Sequence, residues 1–88
     1  MSYRIVVGRA AEKTLRKRIP PERGPQIRQT IGDLAADPRP RGAVKMRGTG
    51  QREEWRVRVG DYRIVYRVDD GARKVIVLAV GHRGSVYG

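Results

Sequence analysis

Four arginines that could bind or act on a substrate fall on one face of a predicted β-hairpin. Residues 53–68 are typical of two strands joined at Gly60-Asp61, because glycine accepts the positive φ that a type II′ turn requires. In this register Arg58 lies opposite Arg63, and successive side chains alternate between the two faces of the hairpin. The face that bears basic residues, called the arginine face below, carries Arg56, Arg58, Arg63 and Arg67, with Val65 among them.

The arginine face has two interpretations. Like charges directly opposite each other destabilise a hairpin, so the pattern favours a surface that binds a polyanion, and phosphates are the first candidate. The plainer interpretation is a solvated face in a chain that is rich in arginine throughout. Residues 41–67 hold eight bases against three acids, and Lys45 and Arg47 precede the hairpin within this segment.

These residue types suit RNA cleavage by the RNA's own 2′-hydroxyl. Such a protein must align the hydroxyl with the phosphate, neutralise developing charge, accept one proton and donate another. Arginine neutralises charge but carries protons poorly, because its pKa lies above about 12. His82 and Tyr87, which lie near Arg83, are therefore the candidates for proton transfer. The sequence contains no serine–histidine–aspartate arrangement and no P-loop.

Composition limits the remaining possibilities. The chain has 88 residues, which is enough for one small domain over residues 1–88. Its net charge of +11 indicates nucleic acid, an anionic membrane surface or an acidic protein as a partner. With one histidine and no cysteine, a zinc site is not expected, and no cofactor is indicated. The longest apolar run is too short to cross a bilayer, and the first residues lack a secretory pattern, so we expect a cytoplasmic protein.

The segments before the hairpin predict a strand and two helices. Residues 3–7 are β-rich, and residues 9–19 place apolar side chains every four positions among basic ones, which predicts an amphipathic helix. That helix stops at the Pro20-Pro21 pair. A second apolar series predicts a helix that begins near Gly24 and ends before Asp37-Pro38.

The remaining segments complete an α+β fold. Residues 43–46 predict a short strand or lead-in, residues 69–71 a turn, and residues 73–80 a strand that is apolar on both faces and therefore central. The predicted order is one strand, a two-helix hairpin and a three-stranded antiparallel meander, with the helices packed on one face of the sheet. The helices should cover the hairpin face that carries Trp55, Val57, Val59, Tyr62, Ile64, Tyr66 and Val68.

The motifs of the C-terminal half resemble those of the RelE/ParE superfamily, the toxins of bacterial type II toxin–antitoxin modules. The resemblance is carried by W-R-V-R-V-G-D-Y-R-I-V-Y at residues 55–66 and by V-G-H-R-G-S-V-Y at residues 80–87. The K-M-R-G element at residues 45–48 is similar to the K-L-R-G element that precedes the hairpin in that family. The order of strands and helices also agrees, so the similarity covers the whole chain.

The resemblance implies a RelE-like fold and a ribosome-dependent endoribonuclease, independent of metal, that cleaves mRNA in the A-site codon. It also implies three partners: a cognate antitoxin, the 70S ribosome with its mRNA, and operator DNA bound through the antitoxin. The family's catalytic positions correspond here to Arg56, Arg58, Arg63, Arg83 and Tyr87, and the chemistry above adds His82. Lys45, Arg47 and Arg67 are expected to bind RNA.

Alternatives within the same superfamily remain. ParE-like relatives share the fold and act on DNA gyrase, and a non-catalytic member would keep only antitoxin or DNA binding. Arg56 and Arg58 stand where the best-known RelE-type proteins have lysine. If one of those lysines is the general base, the role passes here to His82 or Tyr87.

Overall fold

A five-stranded sheet with two helices on one face makes up the computed structural model, which describes residues 2–47 and 53–82. The elements in chain order are β1 Arg4–Val7, α1 Arg9–Lys17, α2 Gly24–Asp33, β2 Val44–Arg47, β3 Glu53–Val59, β4 Tyr62–Asp69 and β5 Lys74–His82. The strands lie in the order β1-β5-β4-β3-β2, with β1 parallel to β5 and every other neighbouring pair antiparallel. The predicted α+β class is confirmed.

The central hairpin has the register that its sequence predicts. Val59 pairs with Tyr62, Arg58 pairs with Arg63, and the pairing continues residue by residue to Glu53. Gly60 has a φ of 60°, a backbone angle that a residue with a side chain adopts only with strain. Glycine at the first turn position therefore fixes which side chains face the helices.

The core lies between the helices and the sheet face that carries Tyr66. Helix α1 packs on β5, and α2 contacts β3. The core combines helix residues with alternate strand residues, and its members include Ala11, Leu15, Ile27, Ile31, Leu34, Val57, Ile64, Tyr66, Val68, Val75 and Val77. Trp55 and Tyr62 are only half-buried and pack at its border. The helices thus cover the predicted face and leave the arginine face uncovered by either of them.

Gly8 sets the distance between α1 and the sheet. It is the N-cap of α1, and its backbone N–H donates a hydrogen bond to the carbonyl oxygen of Val77 at 2.8 Å. A Cβ at this position would lie 2.8 Å from the same oxygen, closer than real Cβ atoms approach a backbone oxygen. Glycine is therefore required here by close packing, and not by an unusual backbone angle.

Strand β5 contains a β-bulge that the sequence did not reveal. Val65 pairs with Ala79 while Tyr66 pairs with Val77, so Leu78 is the additional residue. The bulge lets both Val77 and Val80 face the core, although three positions separate them. The strand also continues to His82, two residues beyond its predicted end.

The turn between β4 and β5 also differs in detail from the sequence pattern. The residue with positive φ is Arg73, at 56°, and not Gly71. The Asp69 side chain accepts a hydrogen bond from the backbone N–H of Ala72 at 3.0 Å, and Arg73 N–H donates to the Asp70 carbonyl at 3.3 Å. These two hydrogen bonds stabilise the turn, which does not use a glycine with positive φ.

Candidate nucleic-acid interface

The part of the arginine face next to the turn, called the hairpin end below, brings together Arg56, Arg58 and Arg63. Arg58 is exposed and lies directly opposite Arg63, which is half-buried. Side chains paired in this way have Cβ atoms about 4.5–5.5 Å apart. Arg56 lies opposite Val65, an apolar residue of the same face that is 9% exposed.

The charge at this end is concentrated. Within the described part of the chain, no hydrogen bond or ion pair holds the Arg58 guanidinium. Arg58 lies directly opposite Arg63, and like charges paired in this way lower the stability of a hairpin unless an anion compensates them. Planar guanidinium groups bind phosphate through two parallel hydrogen bonds, so this end of the sheet is suited to a phosphate backbone.

The opposite end of the arginine face is neutralised. Arg67 pairs across the hairpin with Glu54, and its Nη2 lies 3.0 Å from Glu54 Oε2. This ion pair satisfies Arg67 within the fold, so the structure separates it from the three arginines near the turn. Its predicted role in RNA binding finds less support from the geometry than theirs.

Lys45 lies on the other face of the sheet. It pairs with Trp55, whose side chain borders the core, and its Nζ is 3.5 Å from Glu53 Oε2. The structure therefore does not bring Lys45 to the arginine face. Arg47 pairs in register with Glu54, after an irregularity at Met46.

His82 also lies on the helix side of the sheet. It pairs with Tyr62, and the two rings meet edge to face, with centroids 5.4 Å apart and planes at 88°. The bulge at Leu78 is the cause, because without it the alternation along β5 would point His82 toward the arginine face. The other two predicted catalytic residues of this region, Arg83 and Tyr87, lie outside the described residues.

Sequence reasoning missed a polar cluster at the end of the sheet remote from the turn. Arg39 Nη2 lies 2.9 Å from Glu53 Oε1 and 2.7 Å from Asp70 Oδ2. Trp55 Nε1 donates to Glu53 at 3.0 Å, and the Tyr3 hydroxyl donates to Asp70. This group of five side chains, called the Arg39 cluster below, attaches the loop before β2 to β3, to the turn that follows β4 and to the residue that precedes β1.

Electrostatics in the Arg39 cluster favour the charged forms. Hydrogen bonds from Arg39 and then Tyr3 hold the pKa of Asp70 below its usual range. Hydrogen bonds from Trp55 and then Arg39 lower the pKa of Glu53 in the same way. The bond to Asp70 is the main cause that raises the pKa of Arg39.

The described residues show neither a metal-binding cluster nor a membrane-spanning helix. Among residues 2–47 and 53–82, no three histidine, aspartate or glutamate side chains are grouped so that they could hold a metal ion. No helix in the same ranges has the length and apolar character needed to cross a bilayer.

Comparison with known proteins identifies the family and the fold of the chain. Residues 5–87 match the family of ParE toxins of type II toxin–antitoxin systems. Toxin RelG of Mycobacterium tuberculosis H37Rv is 31% identical over 90 residues, covering 99% of this chain and 98% of RelG.

Solved structures agree with the sequence matches. The archaeal RelE–RelB complex from Pyrococcus horikoshii OT3 contains a chain with a TM-score of 0.86 and 28% identity, covering 97% of this protein and 99% of that chain. Isolated Escherichia coli RelE gives a TM-score of 0.72 at 28% identity, covering 98% of this protein and 92% of that chain. The protein is thus a toxin of a type II toxin–antitoxin system. It belongs to the RelE/ParE superfamily.

Proposed function

We propose that this toxin is a metal-independent endoribonuclease that enters the ribosomal A site and cleaves mRNA within the codon there. The observation that carries the proposal is the direct pairing of Arg58 with Arg63, with Arg56 alongside, on a sheet face that neither helix covers. Such a surface binds a phosphate backbone and stabilises the additional negative charge of the transition state. The likeness to RelE structures at 28% identity supports the same choice.

The reaction needs little from the protein beyond alignment and charge. The 2′-oxygen forms a bond to the adjacent phosphorus, the bond from phosphorus to the 5′-oxygen breaks, and a cyclic phosphate and a 5′-hydroxyl result. Arg56, Arg58 and Arg63 would neutralise the non-bridging oxygens, where charge accumulates. One proton leaves the 2′-hydroxyl and another reaches the departing oxygen.

We assign proton transfer to residues that follow Gly81 in the sequence. Arginine keeps its proton at physiological pH, so His82 and Tyr87 stay the predicted carriers, with Arg83 as a further charge-stabilising group. Since His82 lies on the helix side of the sheet, it would act from the edge where the strands end and not from within the arginine face.

A cognate antitoxin is the proposed protein partner. The Pyrococcus horikoshii structure and one from Mycobacterium tuberculosis are toxin–antitoxin complexes, RelE–RelB and RelBE2. A net charge of +11 favours an acidic partner here too. The complex would bind operator DNA through the antitoxin, and the toxin would act in the cytoplasm, where its ribosomal target is.

Primer extension on a defined mRNA, with and without programmed 70S ribosomes, tests the proposal. Wild type should give cuts within the A-site codon only when ribosomes are present, and Arg63→Ala should give none. Lys17→Ala, an exposed change on α1, is the control that removes one charge from the other side of the molecule. Cleavage by Arg63→Ala at the wild-type rate would contradict the assignment.

Inhibition of DNA gyrase is the second candidate, because the family that matches residues 5–87 is that of ParE toxins. A supercoiling assay separates the two activities. Loss of supercoiling in the presence of this toxin, together with intact mRNA in the primer-extension lanes, would establish the ParE-type target instead.

A further inference from the structure

A pocket on the helix side of the sheet lies between the C-terminal end of α1, the start of β4 and the end of β5. Its volume is about 390 Å³, near the lower end of the range of about 300–1,000 Å³ that is usual for small-molecule sites. The lining combines helix and strand residues: Thr14, Arg18, Ile19, Tyr62, Val80 and His82. This size is sufficient for one nucleotide.

The lining has an apolar base and a polar rim. Ile19 and Val80 are 9% and 5% exposed and belong to the hydrophobic core. At the rim, Arg18 and His82 are exposed, and the His82 ring stacks edge to face on Tyr62. Among the described residues, none that lines the pocket carries a carboxylate. An aromatic ligand with a negative charge matches this combination.

The pocket and the arginine face meet at the same end of the sheet. Tyr62 and Arg63 are consecutive in β4, so their side chains point to opposite faces. Gly81 pairs with Arg63 and has no side chain that would obstruct passage over the strand end. Arg63 on the arginine face and Tyr62 at the pocket are therefore separated only by the thickness of the sheet.

We infer that the pocket holds one unpaired base of a single-stranded RNA whose backbone lies across the arginine face. The inference rests on the proposed ribonuclease function. Ile19 and Val80 contact the ring, Tyr62 and His82 border it, and Arg18 binds the phosphate or stacks on the base. Recognition of a base in this way is tolerant of sequence, because every base presents an aromatic face.

His82 provides a direct measurement of pocket occupancy. It is the only histidine of the chain, so its imidazole protons give unambiguous NMR signals. Millimolar nucleoside monophosphates should shift these signals in wild type and in Arg63→Ala, since Arg63 lies on the other face. The shift should be weaker in Arg18→Gln. Signals that do not move in wild type would overturn the inference.

Binding of a longer strand gives the second test. The probe is a short 2′-O-methylated RNA, which lacks the nucleophile and cannot be cleaved. Arg18→Gln should weaken its binding about fivefold, a fraction of the effect known for a stacked base. Lys17→Gln removes the same charge from the adjacent exposed position outside the pocket and should weaken RNA binding much less. Equal effects of the two changes would overturn the inference, because they would indicate general attraction only.

These assays can fail independently of the proposed function. Neither of them measures cleavage, so a toxin that binds nucleotides at His82 and cuts no mRNA would contradict the ribonuclease proposal alone. A toxin that cuts A-site codons while its His82 signals ignore nucleotides would contradict the pocket alone.

Discussion

Arg39 and the three arginines of the hairpin end lie at opposite ends of the same sheet, and they differ in their neighbours. In the Arg39 cluster, one guanidinium meets two carboxylates at 2.9 and 2.7 Å. At the hairpin end, Arg58 faces a second arginine, and no ion pair within the described residues holds it. The first arrangement stabilises the fold. The second places like charges opposite each other, a pattern that favours a surface for binding an anion.

The comparison separates stability from activity. Changes at the Arg39 cluster should lower the free energy of unfolding and leave cleavage intact, because the cluster lies at the end of the sheet remote from the turn. Arg58→Gln at the hairpin end should do the reverse. Functional sites often retain groups that lower stability, so a loss of activity together with a gain in stability is the expected signature.

The largest effect should come from the hairpin end. Arg58→Gln and Arg63→Gln should each reduce ribosome-dependent cleavage by about 10²–10³-fold, the usual loss when one charge-stabilising donor is removed. Single-turnover cleavage on programmed ribosomes measures this effect, and Arg39→Gln is the matched control with the same chemical change. A similar loss in Arg39→Gln would remove the distinction between the two regions.

A smaller effect should follow from disruption of the Arg39 cluster. Arg39→Gln leaves Glu53 and Asp70 without their cation and should lower the free energy of unfolding by about 1–2 kcal/mol, because the side chains are partly exposed. Urea unfolding measures the change. Arg41→Gln, an exposed change in the same loop, should leave the unfolding midpoint near the wild-type value; equal destabilisation by both would mean that the ion pairs contribute nothing.

The contribution of the cluster should depend on pH. The pKa values of Asp70 and Glu53 are lowered in the folded state, so their stabilisation is complete above the unfolded values near about 4 and is lost as pH falls through the folded values. The stability difference between wild type and Arg39→Gln should therefore be full at neutral pH and shrink below about pH 4. Thermal melting of both proteins across this pH range measures the difference. A stability difference that grows in acid would contradict the prediction.

The smallest predicted effect is a gain in stability. Arg58→Gln removes the repulsion with Arg63 and should raise the free energy of unfolding by about 0.2–1 kcal/mol, the scale of a cross-strand pair. The same urea experiment detects it. A destabilised Arg58→Gln protein would show that Arg58 supports the fold after all.

The hairpin and its charged face could be predicted because the signals are local. A Gly-Asp turn fixes the register, and period-two alternation then places Arg58 opposite Arg63. The helices followed in the same way from the apolar spacing and the prolines. These local patterns were therefore sufficient for the fold class and for the positions of the three arginines at the hairpin end.

Other features depend on contacts that the sequence does not display. Strand β5 is apolar on both faces, so no pattern marks Leu78 as the bulged residue, and the position of His82 on the helix side could not be foreseen. Lys45 occupies a short strand, and the sequence does not show that it pairs with Trp55. Arg39 meets Asp70 across 31 positions of the chain, and only folding brings them together.

The salt dependence of RNA binding tests the central claim most directly. For a 2′-O-methylated single strand, each phosphate neutralised by the protein contributes about 0.7 to the slope of log affinity against log salt concentration. We predict that Arg58→Gln reduces this slope by about that amount, while Arg39→Gln leaves it at the wild-type value. Equal slopes for wild type and Arg58→Gln would contradict the assignment of the hairpin end as a phosphate-binding surface.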